Sequence, residues 1–186
     1  MRPFAASALI LVLLSLSACA TLDEKECRSV NWRELGLRDG RMGYPASRLA
    51  EHQEACGEFG IRPDPGAYAR GRLDGLESYC QPRNAMQEGL AGRSYQMGVC
   101  PPGKEAAFVA LHRAAYEVHQ SRARISTLNG QSDSIERELR SDKLTDERRA
   151  RLRHELRDLD RDLRRERDQL RWKESDLDRL SGRPGY

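Results

Sequence analysis

The chain has 186 residues, of which 38% are hydrophobic, 6% aromatic and 33% charged. This apolar content is too low for one large core and is typical of a small globular part joined to a solvated helical part. The 32 basic residues are nearly balanced by 29 acidic ones, which leaves a formal net charge of +3. Nucleic-acid-binding proteins normally concentrate an uncompensated basic surface, so the composition argues against a nucleic-acid partner.

Residues 1–18 have the organisation of a bacterial signal peptide. Arg2 supplies a positive charge, and residues 8–14 form an apolar run that is too short to span a bilayer. The sequence Leu-Ser-Ala-Cys that ends at Cys19 resembles the lipobox of bacterial lipoproteins. We therefore predict cleavage before Cys19, acylation of its thiol by fatty acids such as palmitate, and a lipidated tether over residues 19–26. The alternative is an ordinary secretory signal followed by a chance cysteine.

The residue after the acceptor cysteine bears on location. In sorted lipoproteins, a residue other than Asp at this position favours the outer membrane, and here it is Ala20. The resemblance therefore implies a Gram-negative cell envelope, with the chain anchored in the outer membrane by lipid and facing the periplasm. We expect no other segment to cross a membrane.

Four cysteines remain after Cys19, namely Cys27, Cys56, Cys80 and Cys100. An even number in an exported chain indicates two disulfides, for which three connectivities are possible. Local pairing of Cys27 with Cys56 and of Cys80 with Cys100 is our first choice. No Cys-x-x-Cys motif is present, so we expect no metal site.

An internal repeat runs through this cysteine-containing region. Gly36-Leu-Arg-Asp-Gly40 is echoed by Gly71-Arg-Leu-Asp-Gly75, and more weakly by residues 85–89 with Gly92 after them. Glycines four apart lie on one helical face and indicate close packing of another backbone or an aromatic ring. The alternative is a ligand pocket, for which the candidate residues are Asp39, Asp74, Tyr68 and Tyr79.

From residue 102 onward the composition changes. Apolar residues recur with alternating spacings of 3 and 4 over residues 111–139 and again over residues 152–180, which is the heptad pattern of a coiled coil. The short polar break near 141–145 favours an antiparallel hairpin over residues 102–181, with residues 182–186 as a disordered tail. Glu166 and Lys173 lie on the seam, where they weaken the packing, set its register or face a second protomer.

Motifs for chemistry are absent from the sequence. His112 and His119 are seven residues apart, too far for a compact metal pair, and we expect both at the surface. The chain contains no nucleophile elbow and no phosphate-binding loop. We therefore expect no cofactor and no enzymatic activity.

Between residue 19 and about residue 120, many glycines, aromatics and cysteines form one pattern: Cys27, Trp32, Gly36, Asp39, Gly40, Gly43, Cys56, Gly60, Pro63, Asp64, Tyr68, Gly71, Gly75, Leu76, Tyr79, Cys80, Gly89, Gly92, Tyr95, Val99, Cys100 and Pro101. This pattern resembles that of a proteobacterial lipoprotein family known as the domain-of-unknown-function 2799 family. The resemblance implies lipidation and an envelope location and brings no known activity. Residues 84–86 depart from the family's pattern, because an aromatic is expected after Asn-Gly there.

These observations predict an all-α chain. A small disulfide-stapled helical domain over residues 27–101 is followed by the long antiparallel coiled-coil hairpin. The expected role is structural or protein-binding, with the hairpin presented to an envelope protein. The alternatives are a module that binds a small ligand or cell-wall fragment, and a self-assembling spacer.

Overall fold

The computed structural model describes residues 21–182. The predicted signal peptide, Cys19 and residues 183–186 lie outside this range. Within it the chain forms helices and no strands, which confirms the all-α prediction. The helices are α1 (Glu24–Ser29), α2 (Trp32–Arg41), α3 (Arg48–Gly57), α4 (Pro65–Tyr79), α5 (Pro82–Leu90), α6 (Pro102–Leu139) and α7 (Asp146–Leu180).

The chain divides into two compact units, one ending at Tyr79 and the other beginning at Cys80. This division differs from the expected boundary at residue 101. The reason is that α5 packs on α6, so the helix that carries the weak third repeat belongs to the same unit as the hairpin. The folded part also begins before residue 27, since Leu22 is buried and Asp23 caps α1.

Polar side chains cap the starts of several helices. Asn31 accepts hydrogen bonds from two backbone amides at the start of α2, and Thr145 accepts one at the start of α7. Asp64 accepts a 2.9 Å bond from the amide of Ala67, and Pro65 opens α4. Each side chain satisfies an amide that has no partner within the helix.

The first unit is organised around a crossing of α2 and α4. A methyl carbon on Gly36 would overlap the carbonyl oxygen of Tyr68, and one on Gly71 would overlap that of Arg33. Tyr68 precedes Gly71 by three residues, as Arg33 precedes Gly36, so the contacts are reciprocal. Gly40 and Gly75 meet one turn further along both helices. Successive contacts move toward the C-terminus on both helices, so α2 and α4 run parallel with their backbones in contact.

The second unit repeats this arrangement with α5 and the start of α6. A methyl carbon on Gly89 would overlap the carbonyl oxygen of His112, as one on Gly40 would overlap that of Arg72. Gly92 packs against the ring of His119, as Gly43 packs against the ring of Tyr79. Gly43 and Gly92 both have φ of +73°, a conformation that disfavours other residues. The weak echo at residues 85–92 is therefore a structural repeat.

An equivalent polar contact also occurs within each of the two units. Arg72 Nε donates to the carbonyl oxygen of Tyr44 over 2.9 Å, and His112 Nε2 lies 2.9 Å from that of Arg93. Tyr44 and Arg93 each follow a glycine of positive φ, which comes just after α2 in the first unit and just after α5 in the second. In both units a side chain of the second helix of the crossing, α4 or α6, thus binds the turn that follows the first helix of the crossing, α2 or α5.

Each unit contains one disulfide, and the pairing is the local one favoured from the sequence. Cys27 pairs with Cys56 and Cys80 with Cys100, with Cα–Cα distances of 5.5 and 5.7 Å. In the chain-entropy description, closing loops of this length stabilises each unit by about 3–4 kcal/mol. That contribution is substantial for units whose cores are small.

Helices α6 and α7 form the antiparallel hairpin. Near the turn Arg148 Nε donates to Glu138 over 2.8 Å, and further away Lys173 Nζ donates to Ser121 over 2.7 Å. Ser121 is fully buried and also bonds Glu166. Glu166 and Lys173 therefore form a polar layer within one chain. Burial opposes ionisation of Glu166, but its contacts with Ser121 and Arg124 and the positive charge of Lys173 outweigh burial and lower the pKa of Glu166.

We expect Gly71→Ala to destabilise the first unit by about 3 kcal/mol, because the new methyl group forces two backbones apart. The matched control is Gly130→Ala, which lies within α6 where the added methyl meets no atom within 4 Å. It should stabilise the chain by up to about 1 kcal/mol through helix propensity. Urea unfolding followed by circular dichroism measures both. Equal effects of the two substitutions would show that the crossing is not close-packed.

Candidate functional site

A cluster of four polar side chains lies inside the first unit, and we call it the Asp39 cluster. It consists of Asp39, His52, Tyr68 and Thr21. Asp39 is 3% exposed, while His52 and Tyr68 are each 1% exposed. Buried polar groups are costly unless they are hydrogen-bonded, so the partners of each atom determine what the cluster does.

The hydrogen bonds form a chain that ends at Thr21. Oδ2 of Asp39 accepts from the Tyr68 hydroxyl over 2.8 Å and lies 2.8 Å from His52 Nε2. We assign the ring proton of His52 to Nε2, which then donates to the Asp39 carboxylate. Nδ1 is then an acceptor, and the Thr21 hydroxyl, 2.7 Å away, donates to it.

Four segments of the chain supply these side chains. Asp39 lies on α2 between the crossing glycines, and Tyr68 lies in the first turn of α4, so the crossing brings both together. His52 comes from α3, whose buried face also includes Cys56 of the first disulfide. Thr21 precedes α1.

Burial dominates the electrostatics of Tyr68. Burial, together with the hydrogen bond and the negative charge of Asp39, raises the pKa of Tyr68 far above its ordinary value. Arg72 and Arg48 act weakly in the opposite direction. The phenol therefore stays protonated and donates to Asp39 throughout the neutral range.

The order hydroxyl, imidazole, carboxylate is that of a nucleophile, a base and the acid that orients it. Here, however, the base and the acid are sealed in the core, and the same carboxylate oxygen also binds Tyr68. Such an arrangement fixes positions, since it joins Thr21 to α2, α3 and α4. We therefore interpret the Asp39 cluster as an internal fastening of the first residues of the folded chain.

The structure brings together only two of the four residues predicted for a ligand site. Asp39 and Tyr68 bond to each other in the core. Tyr79 packs its ring against Gly43, and the half-exposed Asp74 accepts a 2.9 Å bond from Arg33. The structure thus supports the interpretation that the glycine repeats allow close packing.

The prediction that His112 and His119 lie at the surface is wrong. His112 is buried with Nε2 against the Arg93 carbonyl, and His119 is half-buried with Nδ1 3.1 Å from the Leu90 carbonyl. Both rings pack on the chain segment that holds the weak repeat. Aligning residues 85–92 with the stronger repeats would have predicted that both histidines pack inside the unit. No motif in the sequence indicates a role for His52 or Thr21.

Residues 21–182 contain neither a metal-binding cluster nor a membrane-spanning helix. Over this range, no three His, Cys, Asp or Glu side chains group closely enough to hold a metal ion. None of the helices described has both the length and the apolar character that crossing a bilayer requires.

Residues 31–117 match a protein-family model described as "Protein of unknown function (DUF2799)". The match confirms the resemblance that the sequence predicts. It spans both glycine crossings and contains Asp39, His52 and Tyr68, whereas Thr21 and most of the hairpin lie outside it. Neither the curated proteins nor the solved structures provide a match to the chain.

The raised pKa of Tyr68 predicts a loss of stability in alkali. The unfolded phenol ionises near pH 10, whereas the folded one resists ionisation, so the free energy of unfolding should fall as the pH rises above about 10. Tyr68→Phe should cost about 1–3 kcal/mol at neutral pH, because Asp39 loses a buried donor. It should also make the alkaline fall shallower.

Urea unfolding at a series of pH values tests this, with Tyr116→Phe, a part-exposed tyrosine, as the matched control. If wild type and Tyr68→Phe lost stability in parallel above pH 10, the buried phenol would not be the responsible group.

Proposed function

We propose that the chain is a lipoprotein of the Gram-negative envelope, anchored through acylated Cys19 in the outer membrane and facing the periplasm. It acts without catalysis, by presenting the hairpin to a protein partner. The lipobox and the preceding apolar segment support the anchor. The two disulfides support an oxidising compartment, in which such bonds persist.

The observation that supports a binding role is a partly exposed stretch of the hairpin seam between Ser121 and the turn, where Leu152 and Leu163 are buried but other apolar residues are not. Apolar seam residues of α6 there, such as Ile135, are only half-buried, and in α7 Leu159 is similar. Ile135 and Leu159 form the floor of a surface groove of about 460 Å³ between the two helices. A third helix placed in this groove would cover the seam, as in the recognition of amphipathic helices by hydrophobic grooves.

The charges around the groove indicate the chemistry of its partner. The charged residues that line it are all acidic, namely Glu155, Asp158 and Asp162, and the polar ones are Gln131 and Ser134. Asp158 and Asp162 form exposed ion pairs with arginines of their own helix, which stabilise little and can be exchanged. We therefore propose an envelope protein that offers an amphipathic helix with a basic edge.

A photoreactive amino acid at Ser134, beside the groove, should crosslink one discrete protein in living cells. The same amino acid at Arg157, an exposed position of α7 that does not line the groove, is the matched control and should not capture that protein. Leu159→Ser should abolish the crosslink from position 134, because it removes the apolar floor. Recovery and sequencing of the adduct, followed by the reciprocal crosslink from the captured protein, measure the outcome.

Capture of lipid alone, or equal capture from both positions, would contradict a groove-specific partner. An adduct of the chain with itself would instead indicate the self-assembling spacer.

A further inference from the structure

We propose that the first unit rests directly on the membrane surface, because the chain is fastened to the folded core immediately after the lipid-bearing residue. The surface of this unit around Thr21 would then contact lipid headgroups. This inference rests on the proposed acylation of Cys19 and names the surface that follows from it.

Three consecutive residues are held by three different interactions. The Thr21 hydroxyl bonds His52 in the Asp39 cluster. Leu22, 4% exposed, belongs to the hydrophobic core that contains both cysteines of the first disulfide. Asp23 forms a reciprocal capping box with Glu26, with bonds of 2.7 and 2.9 Å. The residues expected to form a loose tether are therefore part of the fold from Thr21 onward.

Little chain remains between the fastening and the lipid. Ala20 alone separates Thr21 from Cys19. An extended chain advances at most about 3.6 Å per residue, so the Cα atoms of Cys19 and Thr21 lie within about 7 Å of each other. Acyl chains that enter the bilayer from Cys19 consequently bring the surface around Thr21 to the level of the headgroups.

The fastening should resist displacement. Withdrawing Thr21 leaves the Nδ1 atom of buried His52 without its donor, and withdrawing Leu22 opens a space beside Cys27 and Tyr68. Both losses occur together if the segment is pulled away. The short distance between lipid and core is therefore a property of the folded state.

The test uses the full lipidated chain in vesicles of phosphatidylethanolamine and phosphatidylglycerol. A genetically encoded fluorescent amino acid replaces exposed Lys25 of α1, and energy transfer to a headgroup-labelled lipid reports its distance from the surface. We expect strong transfer from the wild-type chain. A flexible insert of about twelve Gly and Ser residues between Ala20 and Thr21 spans roughly 20 Å and should reduce the transfer severalfold. Equal transfer with and without the insert would overturn the proposal.

A second measurement examines the fastening itself. In the double variant Thr21→Val, Leu22→Ser, the amides of residues 22–24 should exchange with deuterium at least tenfold faster, while the amides of α4 remain protected. If the amides of residues 22–24 exchanged as fast in the wild-type chain as in the variant, the proposal that this segment is held to the core would be overturned. Mass spectrometry of the mature N-terminus reports acylation separately, so failure of the proposed anchor is distinguishable from failure of the surface contact.

Discussion

Contact between two backbones at the crossing of α2 and α4 is the constraint on which the first unit depends. Gly36 and Gly71 each place a Cα where any larger residue would overlap a carbonyl oxygen of the other helix. Such an approach maximises dispersion contacts per residue, which compensates for a sequence with few large apolar side chains. It also fixes the rotation of both helices, since only one face of each is smooth. The positions of the remaining side chains follow from that rotation.

The second unit shows which features the crossing requires and which it does not. Gly89 and Gly92 reproduce the contacts of Gly40 and Gly43. The position that corresponds to Tyr68 is occupied by Phe108, which is buried and has no hydroxyl group. The position of Asp39 is occupied by Glu88, which pairs with Arg93 at 2.6 Å. The second crossing therefore packs without a carboxylate and a phenol bonded to each other at the positions of Asp39 and Tyr68.

Much of the fold could be predicted from the sequence because its signals are local. Heptads predict α6 and α7, and Asn31 and Thr145 predict helix starts, since each pattern acts within a few turns. The Asp39 cluster could be predicted only in part. Asp39 lies within a glycine repeat that is visible in the sequence, but His52 belongs to no recognisable sequence motif. Its burial depends on the packing of α3 beside the crossing, which no local pattern encodes.

The comparison of the two units also explains the buried polar groups of the first. Burying Asp39, His52 and Tyr68 costs desolvation energy that well-formed hydrogen bonds only partly recover. Because the second unit forms its crossing with an apolar ring at the Tyr68 position, the fold itself does not require this cost. What the Asp39 cluster adds is a hydrogen bond to Thr21, which lies two residues after Cys19 in the sequence. The buried polar groups of the Asp39 cluster are thus best understood as the means by which the first unit holds the start of the folded chain.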